Sequence, residues 1–422
     1  LLSGVIMNFV PYAVPFFLLL ILVELAWGWL KGKNTYRIND SLNSLSLGLL
    51  STVTKLVFLN IGLLVFSNIG QNHAIWSFDM ASTSHWLLGL LLYDFLYYWY
   101  HRISHERQFF WGSHVVHHQS EEYNLSTALR QTSTSFLTTW IFYIPCFFLG
   151  MPIYMYVSIA TAQLIYQFWV HTQHIGKLGF LEWFFVSPSN HRVHHAQNPE
   201  YIDKNYGGLL IIWDRLFGTF KEEDEEVKPI YGIRVPLKSW NPLWANLHIF
   251  VNMARDAWRT NNWKDKFRVI GAPTGWRPAD VAQRYPVEKS DLSRFEKYDP
   301  TLSMWTKYAV IGQYFLLSIF HFWSMEQEAK LPYELLFAVV ITQLLTVMVI
   351  GALLDGKPLV RGLELSRLVV MTGILVSAYT ANIFSMEWLY YGIVYLVVSA
   401  SLMWVCIKRE WSKELVASSN PA

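Results

Sequence analysis

Residues 83–118 read TSHWLLGLLLYDFLYYWYHRISHERQFFWGSHVVHH. An apolar run long enough to enter a bilayer, Thr83–Tyr100, passes without a break into His101. His101 and His105 then stand four apart in HRISH, and His114, His117 and His118 form HVVHH. The pattern returns downstream, with His171 and His174 in WVHTQH and His191, His194 and His195 in HRVHH. Ten of the fourteen histidines therefore fall between His101 and His195. On a helix, positions i, i+3 and i+4 share a face, so each HxxHH is expected to aim three imidazoles the same way. One histidine pair has several bland explanations; three clusters and a further pair point to a polynuclear metal site built almost wholly from imidazole.

The rest of the chain supplies the setting. Its 422 residues are 53% apolar, 17% aromatic and only 15% charged, with a positive mean hydropathy. A soluble domain carries about 25% charged residues, so the shortfall indicates an integral membrane protein. A net charge of +2 leaves no footprint for nucleic acid. Cys146 and Cys406 both lie in apolar runs and read as small buried hydrophobes rather than a disulfide or zinc pair. Val10–Trp29 lacks a positive leader and a small-residue cleavage site, so it reads as a span and not as a signal peptide.

The expected spans are Val10–Trp29, Leu47–Phe66, Thr83–Tyr100, Phe136–Leu149, Ile153–Val170, Tyr308–Trp323, Leu335–Leu354, Leu368–Phe384 and Trp388–Ile407. Phe136–Leu149 is short, and Pro145 with the GMP at 150–152 marks a hairpin that need not cross completely. The fold class is all-α: a polytopic membrane helical bundle of about nine spans with a cytoplasmic, histidine-rich helical cap. Lys31, Lys33 and Arg37 follow the first span, whereas 71–82, the hairpin tip and 385–387 carry no Lys or Arg. Residues 171–303 are strongly charged, 324–334 holds only Lys330, 355–367 holds Lys357, Arg361 and Arg367, and the tail begins Lys408, Arg409. The positive-inside rule then places the histidine clusters together on the cytoplasmic face. A multi-pass protein of a bacterial inner membrane, or of the endoplasmic reticulum in a eukaryote, fits that topology. Three regions follow: 1–220 as membrane and histidine core, 221–303 as a cytoplasmic connector, and 304–422 as C-terminal membrane helices. Those last spans contain only His321 among histidines and read as lipid-embedded scaffold, and KEEDEE at 221–226 reads as a solvated loop.

Imidazole suits Fe, Zn, Cu and Ni, whereas carboxylate oxygen suits Mg, Ca and Mn. Nine or ten histidines are too many for one ion and about right for two, each keeping an open position. The Glu and Glu-x-x-His pattern of carboxylate-bridged di-iron bundles is absent. An open imidazole site at a bilayer surface suggests O2 activation on an apolar substrate. A membrane metal or haem carrier is the non-enzyme alternative; haem ligation uses histidines within opposed spans, whereas these sit at span ends. No GxGxxG or flavin fingerprint occurs, so electrons come from a separate donor protein or a diffusible pterin.

HRISHE, HVVHH and HRVHH resemble the histidine boxes of the fatty acid hydroxylase/sterol desaturase superfamily of membrane di-iron oxidases. Within it the chain is most similar to the tetrahydrobiopterin-dependent monooxygenases that cleave alkylglycerol ether lipids. That likeness rests on YYWYHRISHE at 97–106, SEEYNLSTALRQ at 120–131, YQFWVHT at 166–172 and HRVHHAQNPEYIDKNYGGLLIIWDRLFGTF at 191–220. The resemblance implies two irons, for which zinc can substitute, with O2 and tetrahydrobiopterin or another external reductant. It implies His101, His105, His114, His117, His118, His191, His194 and His195 as ligands, His171 as a ninth, and His174 as either a ligand or a partner of one. Glu106 matches an acidic position of the ether-lipid group, which implies a catalytic role through orienting an imidazole, against an exposed interfacial carboxylate. The implied substrate is a lipid drawn from the bilayer, oxidised beside the ether oxygen; a sterol, carotenoid or acyl chain as the target of a hydroxylase or desaturase is the alternative.

Weaker candidates remain. Asp94 lies inside an apolar run two turns before His101, so it is expected either to bond a ligand imidazole or to join two spans. Arg130 and Asn124 suit a polar headgroup or reductant, or simple snorkelling. Asp214 and Arg215 are expected to pair with each other or cap the core. His73, His85, His248 and His321 are scattered singles, read as structural or exposed. The lipid tail is expected to lie between the third span and the Phe136–Val170 hairpin, with Ala162 on its wall.

Overall fold

A computed structural model of the chain describes residues 10–327 and 331–419. Lys330, used in the charge argument above, lies outside the described residues. Among the described residues seventeen α-helices follow in order: α1 Val10–Leu30, α2 Ile38–Asn72, α3 Thr83–Glu106, α4 Gln108–Gly112, α5 Val115–His118, α6 Leu125–Ala128, α7 Thr139–Phe148, α8 Ile153–Trp169 and α9 Pro188–His195. Then come α10 Ile212–Leu216, α11 Pro242–Arg259, α12 Trp263–Gly271, α13 Ala279–Arg284, α14 Met304–Gln327, α15 Tyr333–Leu354, α16 Val360–Thr380 and α17 Met386–Ser419. Among the described residues there is no strand, only three isolated bridges, Arg107 with Pro273, Phe185 with Leu210 and Ala196 with Tyr231. The fold is all-helical, as expected.

Among the described residues four helical segments are long and apolar enough to cross a membrane: Ala13–Leu30, Tyr333–Leu354, Val360–Thr380 and Met386–Lys408. The other expected spans are helical too, and two of their helices run on beyond the span into polar residues. The first turns of α2 bring Asn39, Asp40, Asn43 and Ser44 into a buried polar interior. Likewise α3 does not stop at Tyr100; it runs unbroken to Glu106, so its last turns carry His101 and His105. At about 1.5 Å per residue, α7 is only about 15 Å long, half of a hydrocarbon core.

The chain divides into two compact units, one of residues 1–44, 58–237 and 246–297, the other of 45–57, 238–245 and 298–422. In the first unit, α3 packs against the α7–α8 hairpin. Tyr93 stacks on Tyr143 with centroids 4.7 Å apart, and Gly89 lets Met155 and Ile159 approach α3 closely. The hairpin turns at Gly150, whose φ of +76° and contact with the Trp76 carbonyl exclude a side chain. Phe66 of α2 stacks on Phe147, and Phe17 of α1 on Phe168 of α8. This packing fills the groove between α3 and the hairpin towards its Gly150 turn, so the lipid tail expected there has no room at that end. Ala162 is exposed on the outer face of α8 and lines no such groove.

In the second unit, α14–α17 form a bundle that is more than apolar scaffold. Arg367, fully buried, meets Glu364 at 2.7 Å and also reaches Ser399, which in turn bonds Gln313. His321 bonds Gln343 at 3.0 Å. Such interhelical polar contacts hold bundles together where lipid removes the hydrophobic drive. Asp355, at the end of α15, accepts from Ser239 Oγ and Trp240 N at 2.9 and 2.8 Å.

Candidate metal centre

Nine of the ten histidines gather into two adjoining groups. His101, His105, His114, His118 and His194 form one; His117, His171, His191 and His195 form the other. Within each group the candidate ligand atoms all lie within 4.8 Å of one another. The helices divide their histidines in a way the spacing alone did not reveal. In HVVHH the i and i+4 residues, His114 and His118, join the first group, while His117 joins the second. In HRVHH the assignment is reversed: His191 and His195 join the second and His194 the first. Residues i and i+4 are only about 40° apart around a helix, whereas i+3 and i+4 differ by about 100°. Each HxxHH thus straddles both groups instead of aiming three rings at one point.

Backbone carbonyls orient the rings. Nδ1 of His101 donates to Tyr206 O at 2.7 Å, His117 to Arg130 O at 3.0 Å, His171 to Gln167 O at 2.7 Å and His194 to Lys204 O at 3.0 Å. A carbonyl only accepts, so each of these rings carries its proton on Nδ1 and leaves Nε2 as a bare lone pair. Those Nε2 atoms converge. His117 and His171 approach to 3.2 Å, His171 and His191 to 3.1 Å, His101 and His114 to 3.1 Å. Between His117 and His171 neither Nε2 has a proton to give, so the contact sets lone pair against lone pair. His105 Nε2 and His194 Nε2 are buried without any partner. Buried acceptors in that state are costly unless a cation lies between them. Two nitrogens each about 2.1 Å from one ion at a right angle are about 3.0 Å apart, close to these separations. The residues present fit a pair of metal ions.

Electrostatics agree. Burial first, then repulsion from neighbouring imidazoles, depresses His114, His118, His171, His191, His194 and His195 well below the ordinary value, and burial, with the Arg130 charge outweighed by the Arg130 carbonyl bond, brings His117 down to about 4. All are neutral near pH 7, the state that binds metal.

A scaffold of buried polar residues sets the carbonyls in place. Asp203 and Asn205 adopt φ of 60° and 55°, unusual for residues other than glycine, and this double left-handed turn presents Lys204 O and Tyr206 O to the rings. Asn205 locks it by bonding Asn190 O, Lys221 O and Lys221 N. Asp214 accepts from Tyr206 N, Gly207 N and Thr219 Oγ1, each at 2.7 Å, and burial raises its pKa to about 6. Asp94 accepts from Gln163 Nε2, Leu209 N, Leu210 N and Trp213 Nε1. It therefore fixes the 207–213 segment to α3; it bonds no imidazole. Asp214 and Arg215 do not pair: Arg215 stacks on Phe220 and Trp183 and donates to Glu182 O.

Arg130 is fully buried, not snorkelling. It donates to Val116 O, Asn43 Oδ1, Ser44 Oγ and Gln119 Oε1, while its own carbonyl takes His117. Asn124 caps α6 and bonds Thr35 O. Glu223 of the acidic run, read from sequence as solvated, holds Arg192 of HRVHH through two bonds at 2.8 and 2.7 Å. Glu24 in α1 escaped notice although it carried the same signal as Asp94, an ionisable residue in an apolar run. It accepts from Tyr36 OH, Thr172 Oγ1 and Leu125 N, fixing the segment just after His171.

Two expected site residues are placed elsewhere. His174 belongs to neither group; its Nε2 lies against Gly28, and its backbone N–H bonds Thr172 Oγ1. Glu106, 36% exposed at its side chain, receives Arg102 Nε at 2.8 Å, so its carboxylate is engaged by a guanidinium and not by a ring.

Residues 86–219 match the fatty acid hydroxylase family model. The chain is 38% identical over 353 residues to alkylglycerol monooxygenase of Homo sapiens, covering 83% of this chain and 79% of that protein. It is 37% identical over 369 residues to alkylglycerol monooxygenase of Danio rerio, covering 86% and 81%, and 36% identical over 363 residues to that of Xenopus tropicalis, covering 85% and 80%. No solved structure gives a significant match.

Proposed function

The chain belongs to the alkylglycerol monooxygenase family of fatty acid hydroxylases, and from that premise we propose that it is a membrane monooxygenase acting on the ether bond of alkylglycerols. The carbon beside the ether oxygen is the target, because the oxygen lone pair stabilises electron deficiency there. One atom of O2 enters that C–H bond; the other leaves as water with two electrons and two protons from a tetrahydropterin or a donor protein. The hemiacetal then collapses to a fatty aldehyde and free glycerol, with the proton of the new hydroxyl passing to the departing glycerol oxygen.

The nine grouped histidines would hold two irons, five on one and four on the other, and bound iron would supply O2 activation. Everything else falls to the chain's own residues. The Nδ1–carbonyl bonds hold each ring in the tautomer whose Nε2 is free. Burial keeps the rings neutral and water away. Tyr97 and Tyr100, whose rings lie 5.3 Å from His101 and 6.5 Å from His114, would be the aromatic surface that meets an alkyl chain beside the metals. The site would face the cytoplasm, on the positive-inside argument, in a bacterial inner membrane or the endoplasmic reticulum.

The observation that carries this reading is the set of buried Nε2 lone pairs facing one another with no proton between them. Membranes containing the protein, given a 1-O-alkylglycerol, O2 and tetrahydropterin, should release fatty aldehyde, and the purified protein should contain two irons per chain. Hydroxylation or desaturation of a sterol, carotenoid or acyl chain, with the ether lipid untouched, would transfer the reading to another lipid. A Soret band would replace it with a haem carrier.

A further inference from the structure

Helix α12 is turned inside out. Trp263, Phe267 and Ile270 stand at i, i+4 and i+7, one face of the helix, and are 72%, 72% and 52% exposed. Trp258, at the end of α11, is 87% exposed. A helix on a soluble surface buries such a strip and exposes its charges. What α12 buries instead is its back: Val269 and, just beyond the helix, Ala272 are buried. The main chain there is fixed to α4, with Gln108 N donating to Ala272 O at 3.0 Å and Gln108 Nε2 to Val269 O at 3.3 Å.

Charge flanks the outward strip. Around the helix, Lys264 and Arg268 lie on one side of the aromatic face and Lys266 on the other. Between 255 and 270 five cations (Arg255, Arg259, Lys264, Lys266, Arg268) outweigh two anions (Asp256, Asp265), and Asp256 is already held by Arg277 at 2.6 Å. The connector therefore carries a helical periodicity over 263–270, with its apolar positions facing outward.

We propose that α12 is an interfacial anchor, lying flat in the headgroup layer of an anionic bilayer leaflet with Trp263, Phe267 and Ile270 dipped to the acyl boundary. Nine residues, about 13 Å, cannot cross a bilayer but suit this position. Tryptophan prefers that depth, and lysine and arginine on both flanks match anionic phosphates just above it. The chain is already in a membrane through its spans, so the lipid surface is the partner whose chemistry fits both the outward aromatic strip and the cations beside it. The anchor also has a grip on the metal centre. Immediately after α12, Thr274 N donates to Glu106 O at 3.2 Å and Thr274 Oγ1 donates to His105 O. The end of the first histidine helix is thereby tied to an element that rides on lipid.

Both native cysteines are buried, so a Phe267→Cys variant offers the accessible thiol for an environment-sensitive fluorophore. The full-length protein would be placed in nanodiscs at one chain per disc, with Glu288→Cys, an exposed site elsewhere in the connector, as reference. The anchor predicts blue-shifted emission at 267, strong quenching by a doxyl group attached near the headgroup, weaker quenching by one at the chain end, and none of this at 288. Replacing phosphatidylserine by phosphatidylcholine should reduce the quenching, and a Lys264→Gln/Arg268→Gln background should remove that lipid dependence. Emission at 267 matching 288 with ready quenching by aqueous iodide would overturn the proposal. So would a label shielded from both iodide and doxyl lipid, or one shielded only when several chains share a disc, since either shows protein and not lipid on this face.

Discussion

Replacing Asp94 by Asn should cost the protein both stability and metal. The carboxylate accepts four bonds, two on each oxygen: Gln163 Nε2 and Leu209 N at Oδ1, Leu210 N and Trp213 Nε1 at Oδ2. An amide keeps one oxygen, so whichever way it is turned two donors meet an NH2 group and lose their acceptor. Bonds to a charged acceptor are worth about 1.5–3 kcal/mol each, giving a loss of about 3–6 kcal/mol. At roughly 2 °C per kcal/mol, the lower end for larger domains, the melting temperature should fall by about 6–12 °C. The damage is directed, because the released segment continues into Tyr206, whose carbonyl orients His101. Thermal melting of the purified protein in detergent, with iron content measured on the same preparation, would test this. A variant that melts with the parent and keeps its full iron complement would refute the argument that Asp94 locks the 207–213 segment to α3.

His117→Ala should remove metal and turnover together, whereas His174→Ala, outside both groups, should keep two irons by elemental analysis; full turnover in the first or lost iron in the second reverses the assignment. Glu106→Gln breaks a partly exposed ion pair worth about 0–1 kcal/mol and should leave iron content unchanged, while a loss of about 10–100-fold in metal affinity would restore an orienting role for the carboxylate. Acid should unload and destabilise the centre in a defined window. The buried rings have folded-state pKa values below the ordinary 6.5, that of His117 being about 4, so the unfolded chain binds more protons between those limits and stability falls as pH drops from about 6.5 towards 4. Melting and iron release followed from pH 8 to 4 check this, and a centre indifferent to pH across that range would count against neutral buried imidazoles.

The histidines were legible because a metal site demands a rare residue at helical spacing, and little else produces HxxHH twice. What spacing could not give was the partition, since i+3 and i+4 look equivalent along a sequence and diverge only when a second helix stands opposite. Asp94 announced itself as a buried charge, but its partners are backbone N–H groups 115 and 116 residues away, which leave no mark on composition. Glu24 gives the same signal, and only its partners Tyr36, Thr172 and Leu125, distant in sequence, distinguish it from a charge at the edge of a span. Arg367 reads in the sequence as a charge of the 355–367 loop, although one helical turn pairs it with Glu364 inside the bundle. The connector hid its order for the opposite reason: its apolar residues face outward, so the familiar expectation of a buried strip found nothing to match.

The rings at 101, 117, 171 and 194 are steered by carbonyl oxygens, and every residue type owns one. The side chain of Lys204 can therefore drift over evolutionary time without withdrawing the acceptor that His194 needs, whereas Arg130 and Tyr206 are buried and bound to their places by packing as well. Chain length enjoys no such freedom. A single residue inserted or deleted between His195 and Asp214 would swing the carbonyls of 204 and 206 out of register at once and disorient one ring from α3 and one from α9. The centre is thus tolerant of spelling and intolerant of counting, and among diverging copies of this protein the spacing from the last histidine box to WDR should outlast the identities of the residues that fill it.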